Sequence, residues 1–244
     1  MAFWGKITAK TTPGRQLAAP TELKGTSMKV LLVNGSPRKN GNTDRALEEC
    51  AAVLNQEGIE TEIIWIGAQA IRGCTACGAC SRNGDCRCIF DDDIVNPLIR
   101  KAAEADGYIF GSPVYYAGLN GSLKSLMDRM FYAGGTVMRQ KPAAGIACAR
   151  RAGATITADE INKFFQINGM PVVSSTYWNI VHGRGAGEVE GDGEGLQTMR
   201  NLARSMAWLL KCIQAGAQAG IAAPDLERGT MTNMVRGDLI DGAN

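Results

Sequence analysis

Apolar residues fall along this chain in two alternating patterns. Short continuous runs such as Val30-Leu31-Leu32-Val33 suit strands covered on both faces. Longer segments with apolar residues three and four apart suit helices. Residues 29–34 predict a first strand. Residues 43–56 predict a helix, with Ala46, Leu47, Cys50, Val53 and Leu54 on one face and Gly58 closing it. Residues 60–66, rich in Ile and Trp, predict a second strand. A helix follows at 93–105, its acidic start favoured by the helix dipole. Then come a strand at 107–111, a helix at 119–132 with Leu123, Leu126, Met127 and Met130 on one face, and a strand at 142–149. A helix at 158–168 and a fifth strand at 171–180 complete the alternation, and an amphipathic stretch at 196–213 predicts a last helix packed on the sheet. Five strands separated by helices imply an α/β domain with a doubly wound, five-stranded parallel sheet and right-handed crossovers. The chain has no internal repeat.

The periodic region sets the boundaries. Residues 1–27 show neither period and read as a leader or flexible extension; residues 28–215 form the domain; residues 216–244, rich in Gly and Ala, read as a tail or an arm reaching a neighbouring subunit. The leader lacks the continuous apolar core, roughly 7–15 residues, of a secretory signal, with an amphipathic targeting peptide as the alternative. No apolar run approaches the roughly 20 residues of a membrane helix. With a net charge of +2 over 244 residues and no basic stripe, the chain does not read as a nucleic-acid binder. The expectation is a cytoplasmic domain.

Loops that follow strands at one sheet edge are where an open parallel sheet binds ligands. The first, Val33-Asn34-Gly35-Ser36-Pro37-Arg38-Lys39-Asn40-Gly41-Asn42-Thr43, combines close-wrapping backbone with the hydroxyls of Ser36 and Thr43, the fork of Arg38 and the amide of Asn42. A helix N-terminus near Thr43 adds free N–H groups, and the set suits a terminal phosphate. The loop lacks the dinucleotide G-x-G-x-x-G. It also misses the Walker A spacing, with Asn42 where that motif has Lys. The plain alternative is a β–α turn capped by Thr43. The second loop, Gly111-Ser112-Pro113-Val114-Tyr115-Tyr116-Ala117-Gly118, offers a stiff aromatic wall for a planar heterocycle; the plain alternative is a turn with two exposed tyrosines. The third, Ala149-Arg150-Arg151-Ala152-Gly153-Ala154, lies on the same edge. Together they describe a mononucleotide site.

These three segments resemble the flavin-binding segments of the flavodoxin-like NAD(P)H-dependent FMN reductases, and the stretch "CTACGACSRNGDCRCIFDDD" is similar to their iron–sulfur flavoprotein branch. The resemblance spans residues 28–213. It implies a flavodoxin-like fold of strand order 2-1-3-4-5, bound FMN, NAD(P)H as co-substrate, and a homodimer or homotetramer. It also implies that Ser36, Arg38, Asn42 and Thr43 grip the phosphate. Pro113, Val114, Tyr115 and Tyr116 would line the isoalloxazine, and Arg150, Arg151 and Gly153 would close the far side.

Of eight cysteines, five fall between Cys74 and Cys88. Cys50, Cys148 and Cys212 stand alone in apolar contexts and read as ordinary buried thiols. The spacing Cys74-x2-Cys77-x2-Cys80-x5-Cys86 suits a [4Fe–4S] cluster; the same thiols suit zinc, or no metal at all. Cys88 stands where the family has an apolar residue. Asp91, Asp92 and Asp93 read as a helix cap. The Gly- and Glu-rich run 185–195 lacks EF-hand spacing and reads as a mobile loop, while His182, the one histidine, ends the fifth strand at the ligand edge, in a structural role or facing the substrate. No nucleophile elbow or triad is evident, so no catalytic side chain is assigned. The leading expectation is an FMN oxidoreductase passing electrons from NAD(P)H to a small acceptor such as a quinone, flavin, nitro or azo compound. The rivals are an electron carrier serving a ferredoxin-like partner and a flavin-binding module without turnover.

Overall fold

The computed structural model of the chain describes residues 28–233 and 238–241, so the expected leader at 1–27 lies outside the described residues. In chain order the elements are β1 (Lys29–Asn34), α1 (Asn42–Gln56), β2 (Glu60–Trp65), α2 (Ala79–Asn83), α3 (Val95–Glu104), β3 (Gly107–Tyr115), β4 (Gly118–Leu119) and α4 (Gly121–Met138). β5 (Ala143–Ala149), α5 (Ala154–Ile167), β6 (Ile180–His182), a short 3-10 turn at Glu188–Gly191, α6 (Gly193–Gln218), β7 (Thr230–Asn233) and β8 (Asp238–Asp241) follow. The main sheet runs β2-β1-β3-β5-β6, all parallel, with β4 folding back antiparallel on β3. Leaving β4 aside, this is the expected order 2-1-3-4-5.

Strand alternation sorts the core. Val30 and Leu32 point to the side covered by α1 and α6, where Leu47, Leu54, Met199 and Leu202 pack. Leu31 and Val33 point the other way, onto α3, α4 and α5 with Phe110, Leu126, Met130 and Phe165. A period of two along β1 therefore becomes two helical layers.

Two expectations need correction here. The fifth strand is not continuous over 171–180. Val172 bridges Ala143, yet Ile180 pairs with Ala147, so four partner positions are spanned by eight residues and four are looped out. Asn179 and Ser175 fasten this detour through their side chains, to Val173 O and Thr198 O. Cys212 is exposed, unlike buried Cys50 and Cys148, because it lies off the face of α6 that carries Ala203, Met206, Ala207 and Leu210 into the core. Burial pushes the Cys148 thiol up to about 11, as befits a packed side chain. Beyond the expected boundary at 215, α6 runs on to Gln218, and β7 and β8 form a separate antiparallel pair.

Helix packing is tight where α4 meets α3. A Cβ placed on Gly134 would stand 2.6 Å from Ile99 Cγ2 and 3.0 Å from its Cγ1. Helix propensity alone would favour alanine there by about 1 kcal/mol. A β-branched neighbour held in its helical rotamer cannot yield cheaply, and overpacking costs about 1–3 kcal/mol. Gly134→Ala is therefore expected to lower the melting temperature; an increase in thermal denaturation experiments would show that α3 shifts away at little cost.

Candidate functional site

The register aligns three loops at the carboxyl edge of the sheet: Asn34 pairs with Gly111, Pro113 with Cys148, and Ala149 with His182. The first loop is shaped by a buried polar lock. Asn34 Oδ1 accepts from Ser36 N at 2.9 Å, and its Nδ2 donates to Asp44 Oδ1 at 2.9 Å. The other Asp44 oxygen accepts from Asn40 N at 3.1 Å. Gly35 is confined: its N–H donates to Gly111 O at 2.8 Å, and a Cβ there would lie 2.7 Å from Leu123 Cδ2. Trp65 supports the loop from below, its Nε1 donating to Ser36 O at 2.8 Å, with Lys39 Nζ 5.7 Å from its ring centre.

At this loop α1 begins without a side-chain cap. Gly41 occupies the cap position, and among the described residues no acceptor meets the N–H groups of Asn42, Thr43 or Asp44. The alternative of a turn capped by Thr43 therefore fails. By contrast, Asn120 caps α4 and Asp192 caps α6. An uncapped helix start carries unpaired donors and a partial positive charge, which suits an anion. Ser36 and Thr43 are buried beside it, and Arg38 is exposed at the rim, where its guanidinium donates to Arg184 O at 3.3 Å. Asn42 is committed elsewhere: its Nδ2 donates to Gly185 O at 2.8 Å and its Oδ1 accepts from Val189 N at 3.3 Å.

Those bonds overturn the expectation of a mobile loop at 185–195. Arg45 pairs with Glu190 at 2.5 Å, Arg184 N donates to Glu188 Oε2 at 2.7 Å, Val189 is buried, and Asp192 caps α6. The sequence signal for this lay in Asp192 three residues before Gly195, ahead of an apolar-periodic run. His182 holds to the same residue, its N donating to Asp192 Oδ2 at 2.6 Å and its Nδ1 lying 3.5 Å from that oxygen. With Arg150, Arg184 and Glu188 it lines an open polar cleft beyond β5 and β6.

The second loop is a two-residue hairpin. Tyr115 pairs with Gly118, and Tyr116 and Ala117 both have left-handed φ, 50° and 58°. This is the primed turn geometry, which normally selects Asn-Gly. Tyr116 is fully exposed at the tip and Tyr115 half exposed. Glu160 Oε2 accepts from Leu119 N at 2.9 Å, and Ser112 Oγ accepts from Asn120 N at 2.9 Å, holding the hairpin base. The third loop abuts its tip: Gly153 has φ 88°, and a Cβ there would lie 2.9 Å from Ala117 Cα and 3.0 Å from Val114 Cγ1. Arg150 and Arg151 are exposed beside it.

The cysteine loop lies between β2 and α3 and packs on α4. Cys74, Cys77, Cys80 and Cys88 line one cavity of about 130 Å³ together with Phe90 and Arg129. Cys86 is not among the lining residues; its Sγ sits 3.2 Å from Thr136 Oγ1. Cys77 accepts from the Ala79 N–H, which holds its thiol below the ordinary value. Among the described residues no three His, Cys, Asp or Glu side chains converge tightly enough for a single metal ion. Zinc needs every sulfur within about 2.3 Å of one point. Four thiols around one cavity are the donor chemistry that an iron–sulfur cube or a zinc ion takes.

Arg129, 1 % exposed, organises this loop. It forms an ion pair with Asp93 and donates to Phe90 O at 2.8 Å, Arg72 O at 3.2 Å and Cys88 Sγ at 3.3 Å. Asp93 is thus more than the expected helix cap. Its Oδ1 accepts from Val95 N at 3.0 Å while its other oxygen neutralises a buried guanidinium. The sequence offered no sign of Arg129, which sits mid-helix in α4. Removing one partner of a buried pair strands the other charge, at a cost of about 3–5 kcal/mol. Arg129→Met is expected to unfold at markedly lower denaturant concentration, and Arg129→Met with Asp93→Asn to recover part of the loss. Equal stability of single variant and wild type would mean that water reaches Asp93.

The family model of the NADPH-dependent FMN reductases matches residues 28–185. An iron–sulfur flavoprotein of Methanocaldococcus jannaschii is 37% identical over 195 residues, covering 77% of this chain and 100% of that protein. Among solved structures, RosB with its bound intermediate 8-demethyl-8-formylriboflavin-5'-phosphate superposes with a TM-score of 0.61 at 18% identity, over 85% of this chain and 92% of the other. A flavodoxin from the domain Archaea superposes with a TM-score of 0.52 at 16% identity, over 75% of this chain and 99% of the other. These two likenesses show a flavodoxin-like fold.

Proposed function

This chain belongs to the NADPH-dependent FMN reductase family, and from that premise we propose that its three sheet-edge loops hold FMN and that electrons pass from NAD(P)H to a small acceptor, such as a quinone, a free flavin, or a nitro or azo compound. Family membership makes the protein an FMN-dependent, NAD(P)H-using oxidoreductase. The observation that carries the site is the uncapped start of α1 beneath the loop of Ser36 and Arg38. In this reading the N–H groups of Asn42, Thr43 and Asp44 receive the phosphate, with Ser36, Thr43 and Arg38 around it. Asn42 contributes through its amide N–H, and its side chain keeps the 183–189 segment in place.

Bound FMN supplies hydride acceptance and return. Around it, Pro113, Val114, Tyr115 and Tyr116 would form the wall, their hairpin held rigid by Glu160 and Ser112. Arg150, Arg151 and Gly153 would close the opposite side and restrict water. His182 lies against Asp192 and needs no part in proton transfer. No side chain is assigned a catalytic role, because positioning and water exclusion suffice where the cofactor carries the chemistry. The domain is proposed to work as a cytoplasmic homodimer or homotetramer; no helix among the described residues is long and apolar enough to cross a membrane.

The thiol cavity favours a second reading, an electron carrier exchanging with a ferredoxin-like partner. A [4Fe–4S] group held there would supply one-electron steps.

Arg38→Ala should weaken FMN binding about tenfold to over a hundredfold, the loss of a charge-assisted contact worth about 1.5–3 kcal/mol. Fluorescence titration of apoprotein measures it, and an unchanged dissociation constant would move the phosphate away from this loop. For turnover, oxidised protein should be yellow and bleach with NADH or NADPH in anaerobic stopped flow. With a quinone as acceptor, double-reciprocal plots should be parallel, because donor and acceptor use one exposed face in turn. Reduction by a reduced ferredoxin and by neither nucleotide would favour the carrier.

A further inference from the structure

We propose that the fourth sulfur serving the cysteine cavity is Cys88 and not Cys86, so that the ligand set is Cys74, Cys77, Cys80 and Cys88. This rests on reading the cavity as an iron–sulfur site. It departs from the spacing argument, which stops at Cys86, with five residues between it and Cys80, and passes over Cys88, with seven between.

Three independent features separate the two thiols. The first is position. Cys88 lines the cavity with the other three, whereas Cys86 does not: its Sγ sits 3.2 Å from Thr136 Oγ1, one turn along α4 from the cavity-lining Tyr132 and Ala133. The backbone explains the divergence: Gly84 and Cys86 both adopt left-handed φ, 64° and 54°, and turn the chain twice within three residues. The second is rigidity. Buried Asn96 clamps the Cys88 backbone from both sides, accepting from Cys88 N at 2.8 Å and donating to Cys88 O at 2.9 Å. A metal ligand is held by such outer contacts, since a loosely placed sulfur gives up binding energy to ordering. Cys86 has no comparable backbone clamp among the described residues; the nearest tie is Arg87 N donating to Asp85 Oδ1 at 3.2 Å.

The third is electrostatic. Four thiolates and a cluster place net negative charge in a partly enclosed cavity. The buried Arg129 guanidinium lies against it and directs Nε–H at Cys88 Sγ, 3.3 Å away. Arg129 and Arg72 also flank the Phe90 ring, 5.7 and 4.5 Å from its centre, and Phe90 and Arg129 both line the cavity. A hydrogen bond to ligand sulfur and a nearby cation are the protein's usual means of stabilising a cluster. They act on Cys88.

The test uses the full chain, prepared without oxygen and reconstituted with ferrous iron and sulfide. Iron, acid-labile sulfide and FMN are measured per chain for wild type, Cys86→Ala and Cys88→Ala. Wild type should hold about four iron and four sulfide, as a [4Fe–4S] cluster requires. Cys88→Ala should lose most of both and keep its FMN; Cys86→Ala should match wild type. Wild-type holoprotein is then treated with iodoacetamide before and after the cluster is stripped, and the labelled cysteines are identified by mass spectrometry. Cys86 should label in both states, and Cys88 only after stripping. This second measurement decides the matter if Cys88→Ala misfolds and loses FMN as well. The assignment is overturned if Cys86→Ala loses the cluster while Cys88→Ala keeps it, if both keep it, or if Cys86 is the thiol protected by the cluster. Wild-type protein that takes up no iron and sulfide but binds FMN would overturn the iron–sulfur reading itself, leaving the flavin site intact.

Discussion

The direction of the chain after β1 depends on one buried side chain. Asn34 ends the strand that pairs with both β2 and β3, so its amide is out of reach of water and must be satisfied locally. It does this by bonding forward, to Ser36 N and to Asp44. Asp44 in turn takes Asn40 N. The helix therefore starts at a fixed distance from the strand, and the residue that caps it is glycine, which has no side chain to offer. Its first N–H groups stay open as a result. A carboxylate capable of capping the helix is present, but it is occupied in holding the loop.

Hydrophobic periodicity made most of this fold legible. β1 lies where the apolar run placed it, and the parallel order follows from the βα alternation. What local pattern could not show was the cost of topology. The run over 171–180 looks like one strand, yet the sheet needs only its two ends; between them the side chains of Ser175, Thr176 and Asn179 find partners outside the ladder. Similarly, the 185–195 run is rich in glycine and acid, the composition of a loose loop. Its order comes from Asn42 and Arg45, more than 140 residues distant in sequence.

The cysteine loop shows the same limit in sharper form. Spacing identifies which thiols lie close along the chain, and it located the cluster of five correctly as one region. Which four share a cavity depends on backbone turns at Gly84 and Cys86, on the clamp by Asn96 and on a guanidinium in α4. None of these is visible in the interval between cysteines. Arg129 was illegible for a related reason: an arginine in an amphipathic helix ordinarily faces solvent, and only tertiary contact with Asp93 allows it inside.

The hairpin of Tyr116 and Ala117 keeps a strained conformation at the sheet edge. A left-handed residue with a Cβ costs about 1–2 kcal/mol, and here two stand in succession. Asn-Gly would relieve the strain and remove the tyrosine. The turn is retained by contacts outside it: Glu160 on Leu119 N, Ser112 on Asn120 N, and the third loop against Ala117 Cα. Each is a fixed hydrogen bond or a close packing contact, and a hydrogen bond to an ionised group contributes about 1.5–3 kcal/mol. The strain is therefore offset by the elements that flank the site, and a fully exposed ring is held where free rotation of the backbone would otherwise carry it away. Gly153 against Ala117 and Val114 joins the second loop to the third, which sets the spacing between the hairpin and the arginine loop at the edge of the sheet.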